Sequence, residues 1–165
     1  HTEPLKAAVF PLDRGILSRT LAENIVAKEN FPPFAASIMD GFAVVGPLEA
    51  GVYSISDIIH AGATPQGPLQ LNQVAYITTG AMLPAGSNAV VKVEDTERVG
   101  ETEVRIKVSI AEGVNVRQIG SDVECGAVIL QRGQQIGPSE IGLLATTGFS
   151  EVLCYDSPTI GVMST

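Results

Sequence analysis

Between Ala36 and Gly133 the chain never stays apolar for long. Seven short runs follow one another: GFAVV (41–45), GVYSISDII (51–59), QVAYITTG (73–80), AVVKVED (89–95), EVRIKVSI (103–110), GVNVRQI (113–119) and AVILQRG (127–133). Gly, Pro, Asn or Asp break the chain between them. Runs this short, rich in Val and Ile and partly alternating, bury a face only by pairing side by side. They predict a small antiparallel β domain or barrel. Val99–Val104 (VGETEV) predicts a hairpin turn.

The flanks have a different texture. In Phe10–Ala27, Pro11 suits a first helical turn, and Ile16, Leu17 and Leu21 fall on one helical face, which predicts a short helix followed by a strand. Pro32 and Pro33 then impose an extended linker, because proline disfavours helix in the residue before it. Near the other end, Pro138 suits a helix start with Ser139 and Glu140 in its first turn, Gly148 suits its stop, and a strand follows. The reading is therefore a mixed α+β, mostly β protein, with a β-rich domain (33–131) inserted into a discontinuous α/β subdomain (1–32 and 132–157).

Composition narrows the function. Apolar residues are 45% and charged residues 17% of 165, enough for a real core without any Trp. A net charge of -8 argues against a nucleic-acid surface, where Lys and Arg must neutralise phosphates. Cys125 and Cys154 form no C-x-x-C pair and read as reduced cytosolic thiols packed as small hydrophobes. There is no signal-peptide pattern and no apolar run long enough to insert in a membrane, so a cytoplasmic setting is expected. A start at His1 without Met, and an end at Thr165 just after the apolar TIGVM, are expected of a fragment.

Four polar features interrupt the apolar runs, each at a strand end: Asp40-Gly41, Thr78-Thr79-Gly80, Glu94-Asp95-Thr96, and RQIGSDVECG (117–126) with Arg117 and Asp122. Asp40 suits a metal ligand or a water-orienting acid; Asp-Gly is also ordinary turn chemistry. Thr79 suits an anion-binding hydroxyl, with Gly80 letting the backbone approach; a Thr-Gly strand exit is the plain alternative. Glu94 and Asp95 suit a hard cation or a solvated hairpin end. Asp122 suits a second acid meeting Asp40, or another turn. Arg117 suits a phosphate clamp, or an ordinary surface position. TTGAMLPAGSNA (78–89) lacks the Lys-Ser/Thr of a phosphate loop. His1 and His60 lie in no ligand spacing and support no Ser-His-Asp arrangement.

PPFAASIMDGFAV, ITTGAMLPAGSNAVVKVEDT, VRQIGSDVECGAVILQRGQQIGPSEIGLLATTG and PTIGVMST, in this order, resemble the molybdopterin molybdenumtransferase family, which includes the bacterial enzyme and the gephyrin E domain. PPFAAS, VEDT and GPSEIGLLAT look closest to the gephyrin-like branch. The resemblance implies insertion of molybdenum from molybdate into adenylylated molybdopterin with Mg2+. It implies a homodimer of four-subdomain chains, with the cleft between the second subdomain of one protomer and the third of its partner. The functional acid of the family's D-G-[YF]-A motif falls on Asp40, the Thr of T-T-G on Thr79 and the acid of G-x-D-[IV] on Asp122. These are the implied catalytic residues, with Gly41, Gly80 and Arg117 as binding residues and Asp40 and Asp122 as candidate metal ligands.

Phe42 stands where many members have Tyr, Lys92 where Gln is common, and Gln118 where bacterial members often have a second Arg. Residues 158–165 resemble the first strand of a pterin-binding subdomain, so this chain is expected to carry half a composite site and to be catalytically silent alone. Two other readings stand beside this one. GSDVECGAVILQRGQQIG resembles the hairpin of lipoyl- and biotin-carrying modules but offers no Lys at its tip. A gephyrin-like receptor scaffold is the other.

Overall fold

The computed structural model describes residues 5–164. Along the chain run strand β1 (Ala7–Pro11), a single 3-10 turn (Arg14–Ile16), β2 (Ile25–Val26), β3 (Ala36–Ser37) and β4 (Gly41–Val44). Then come β5 (Gly51–Ile59), β6 (Gln73–Ile77), β7 (Ala89–Lys92), a second 3-10 turn (Val93–Asp95), β8 (Thr96–Val99) and β9 (Glu103–Ile106). The chain finishes with β10 (Val116–Arg117), β11 (Val128–Leu130), helix α1 (Pro138–Thr146) and β12 (Glu151–Tyr155). The fold is mixed α+β and mostly β.

The chain divides into two compact units, one of residues 1–31 and 123–165, the other of Pro32–Asp122. The second division falls at Asp122/Val123. Residues 123–131, expected within the inserted domain, pack in the first unit, where β11 pairs with β2.

In the first unit a strand from the first part of the chain pairs with one from the last. β1 pairs antiparallel with β12, from Ala7 opposite Tyr155 to Pro11 opposite Glu151. Ile16, Leu21, Ile25, Leu130, Ile136, Leu144, Val152 and Cys154 form its core. Helix α1 starts at Pro138, where the missing N–H costs nothing, and Glu140 accepts from Gly137 N–H at 2.9 Å. Gly148, at φ +79°, ends the turn that follows. Phe31 and Val123 exchange two backbone hydrogen bonds, of 2.7 and 3.0 Å, where the chain leaves this unit and re-enters it.

The helix expected after Pro11 is absent. Pro11 closes β1, and Asp13 caps only the 3-10 turn Arg14–Ile16 through Gly15 N–H at 2.7 Å. Ser18, at φ +65°, adopts a left-handed conformation that ends any helical continuation. Residues 158–164 form no strand, and Ile160, Val162 and Met163 are exposed.

The second unit is built on one curled sheet in the order β7-β4-β6-β5-β9-β8. The expectation of purely antiparallel pairing is corrected: β5 and β6 run parallel, Ser54 opposite Gln73 through Ile59 opposite Ile77. The thirteen residues between Ile59 and Gln73 supply the crossover that a parallel pair requires. The β8–β9 hairpin forms as expected, turning at Gly100 with φ +72°. Alternate residues feed two apolar clusters. Phe42, Val44, Val74, Val91, Val104 and Ile106 belong to one. Ala43, Ile59, Ala75, Ile77 and Val90 belong to the other, closed over by Leu69, Ala81 and Leu83. β3 and β10 form a separate two-stranded ladder, Val116 opposite Ser37 and Arg117 opposite Ala36.

Candidate functional site

The acid at the start of β4 is held by a residue 39 positions away. Asp40 Oδ1 accepts from Thr79 N–H at 2.7 Å and from the Thr79 hydroxyl at 2.8 Å. Both bonds hold the Asp40 carboxyl below the usual carboxylate range, the N–H bond more than the hydroxyl bond. Asp40 is solvent-exposed and therefore ionised at neutral pH. Its second oxygen, Oδ2, has no hydrogen-bond partner among the described residues. The Asp40 backbone is fixed as well, because its carbonyl accepts from Val93 N–H at 3.0 Å.

Gly41 follows for a steric reason. A Cβ there would stand 1.9 Å from the Val91 carbonyl oxygen of β7, inside any tolerable contact. Gly41 is a strand residue, paired with both Ile77 and Lys92, so Asp-Gly is not a turn here. Gly80 is different. Its φ is +81°, the left-handed region, and open space surrounds its Cβ position. It lets the chain turn immediately after Thr79.

Arg117 and Asp122 meet as a two-pronged ion pair, with Arg117 Nε donating to Asp122 Oδ1 at 3.2 Å and Nη2 donating to Oδ2. Ser121 also donates to Asp122 Oδ1, at 3.3 Å. The Asp122 carboxylate is thus occupied by neighbours in sequence, and no hydrogen bond or ion pair joins the two pairs among the described residues. Both abut one short element: Arg117 lies opposite Ala36 of β3, and Gly80 N–H donates to the carbonyl of Ser37, at 2.8 Å.

Glu94 and Asp95 lie in the second 3-10 turn, where Asp95 pairs with Lys92 at 3.6 Å. Glu94 is exposed. His60 is also exposed and borders a cavity of about 280 Å3 with Phe42, Ile55, Ile58, Tyr76 and Arg98. Cys154 is buried as expected, and burial pushes its thiol pKa up. Cys125 is exposed, contrary to the packed thiol expected; it lies in a loop, its Sγ donating to Lys28 O at 3.2 Å. Among the described residues, no group of three His, Cys, Asp or Glu could hold a metal ion. A single open carboxylate oxygen at Asp40 fits Mg2+ only as one ligand among waters and substrate phosphates, which is how that ion is commonly held.

Ser37 is inconspicuous in the sequence. Among the described residues it is the buried polar one, 2% exposed. The available signal was Ser three residues before an acid, at the edge of a predicted strand.

The family model described as "MoeA N-terminal region (domain I and II)" matches residues 1–148. The chain belongs to the MoeA N-terminal family. A gephyrin from Dictyostelium discoideum is 40% identical over 164 residues, covering 90% of this MoeA N-terminal chain and 23% of that protein. A molybdopterin molybdenumtransferase from Bacillus subtilis is 35% identical over 159 residues, covering 90% of this chain and 37% of the enzyme. The solved molybdopterin biosynthesis MoeA protein from Pyrococcus horikoshii superposes with a TM-score of 0.87 at 31% identity, covering 94% of this chain and 41% of that one. This MoeA N-terminal chain thus spans well under half the length of these relatives.

Proposed function

We propose that this chain is the N-terminal part of a molybdopterin molybdenumtransferase, acting in molybdenum cofactor biosynthesis. The observation that carries the proposal is the match of nearly the whole chain to relatives bearing that name. In this reading the full-length protein is a cytoplasmic homodimer that transfers molybdenum from molybdate to adenylylated molybdopterin. This chain supplies one side of a cleft whose pterin-binding side comes from a partner subunit. The exposed Ile38 and Met39 beside Asp40 are apolar surface suited to such coverage.

Asp40, Thr79 and Asp122 carry the site, with Gly41, Gly80 and Arg117 shaping it. Asp40 is an ionised, oriented acceptor. Its Oδ1 is committed to Thr79 and its Oδ2 is open to a cation or a protonated oxygen. Mg2+, when bound, would neutralise phosphate charge on the adenylylated substrate. Gly80 keeps side-chain bulk away from that edge. Arg117, paired with Asp122, offers a guanidinium to phosphate when the carboxylate yields it.

The test uses full-length protein supplied with adenylylated molybdopterin, molybdate and Mg2+. Asp40→Asn is expected to lower the rate of molybdenum insertion by about 10- to 100-fold. The 165-residue chain alone is expected to give none. An unchanged rate in Asp40→Asn removes Asp40 from the site, and turnover by the short chain refutes the composite cleft.

A further inference from the structure

The geometry points to Ser37 as a positioning residue that fixes Asp40 against Thr79. Two sets of bonds and one strand pairing meet there. Its hydroxyl donates to Met39 O at 2.5 Å and accepts from Met39 N–H at 3.3 Å, which closes the two-residue step leading to Asp40. Its backbone N–H donates to Ala81 O at 3.0 Å, and its carbonyl accepts from Gly80 N–H at 2.8 Å, which binds the turn after Thr79. On the other edge it lies opposite Val116, the residue before Arg117. Loop 38–40, the Thr79-Gly80 turn and β10 therefore share a single joint.

Ser37 is 2% exposed in a part of the chain where Ile38 and Met39 are open to solvent. A small polar group is buried there while large apolar ones are not. That inverts the usual order of burial and requires a hydrogen-bonding reason. The reason available is the pair of bonds to Met39. Without the hydroxyl, the Met39 N–H and carbonyl lose these bonds, and the backbone of Ile38–Asp40 keeps Ile38 N–H on Asn115 O at 3.2 Å and Val93 N–H on Asp40 O, beside the Thr79 bonds to the Asp40 carboxylate. Ser37 touches no reacting group; it acts through Asp40. What Asp40 then does rests on the proposed function, whereas the positioning itself does not.

Amide hydrogen exchange and a carboxyl NMR titration of this chain test the proposal. In Ser37→Ala, exchange at Thr79 and Met39 N–H is expected to quicken about tenfold or more, and the Asp40 pKa to rise toward the ordinary carboxylate value. Val90 N–H, which donates to Val114 O in the same unit, serves as the control and is expected to keep its protection. Ser37→Cys keeps the size but bonds weakly, is read in the same way, and carries the test if Ser37→Ala does not fold. Unchanged Thr79 protection and Asp40 titration overturn the proposal. So does an equal loss at Thr79 and Val90, which marks a general weakening of the unit. A second arm assays Ser37→Ala in the full-length protein. A selective loosening of Asp40 with an undiminished transfer rate leaves the positioning intact and refutes the role given to Asp40.

Discussion

Asp40 owes its acidity to one neighbour, and the two bonds from Thr79 are separable. Thr79→Ala deletes the hydroxyl bond and keeps the stronger N–H bond. The Asp40 pKa is expected to rise but to stay below its usual value, as read by carboxyl NMR titration. The stability consequence follows from a pKa that is lower folded than unfolded. The Asp40 contribution is complete above the ordinary value of 3.8 and disappears as pH falls from there through the depressed value. Thr79→Ala should therefore show a smaller loss of stability over that acid range. Gly41 makes a harsher prediction. Gly41→Ala forces a methyl into the Val91 carbonyl oxygen, which no side-chain rotation relieves, and is expected to cost about 3 kcal/mol or more in urea unfolding. Of these residues, Asp40, Gly41 and Thr79 were legible as polar breaks in apolar runs. Their partnerships were not, because bonds between residues 39 apart leave no local periodicity. Ser37 escaped because a single buried hydroxyl looks like any other serine in sequence.

Among the elements, helix α1 was legible from both ends. Pro138 fits the first turn and Gly148 the exit, and both lie where local chemistry decides. The central strands were legible as short apolar runs between Gly, Pro, Asn and Asp breaks, and β5 also alternates along most of its length. The parallel β5–β6 pair was not, since strand direction depends on the connecting loop rather than on either strand's pattern. The false helix after Pro11 arose from apolar spacing that the 3-10 turn and left-handed Ser18 override. Leu144 is the fully buried residue of α1. Leu144→Ala is expected to destabilise the chain by about 2–5 kcal/mol, measured by the shift in the urea midpoint, since the void lies inside the first unit's core.

At the scale of the whole molecule, the two cysteines report folding from opposite environments. Cys125 is exposed and Cys154 buried with its thiolate disfavoured. A thiol reagent is expected to label one cysteine per chain rapidly in native buffer and the second only in denaturant. Fast labelling of both contradicts the β1–β12 packing that encloses Cys154. That ladder also sets how the chain yields to tension. Ala7 faces Tyr155 at the outer end of the ladder, where Asp156 N–H adds a bond to Lys6 O at 2.8 Å. Force applied through the two ends loads the first rung alone, then the next, so the seam peels like a zip instead of resisting in shear.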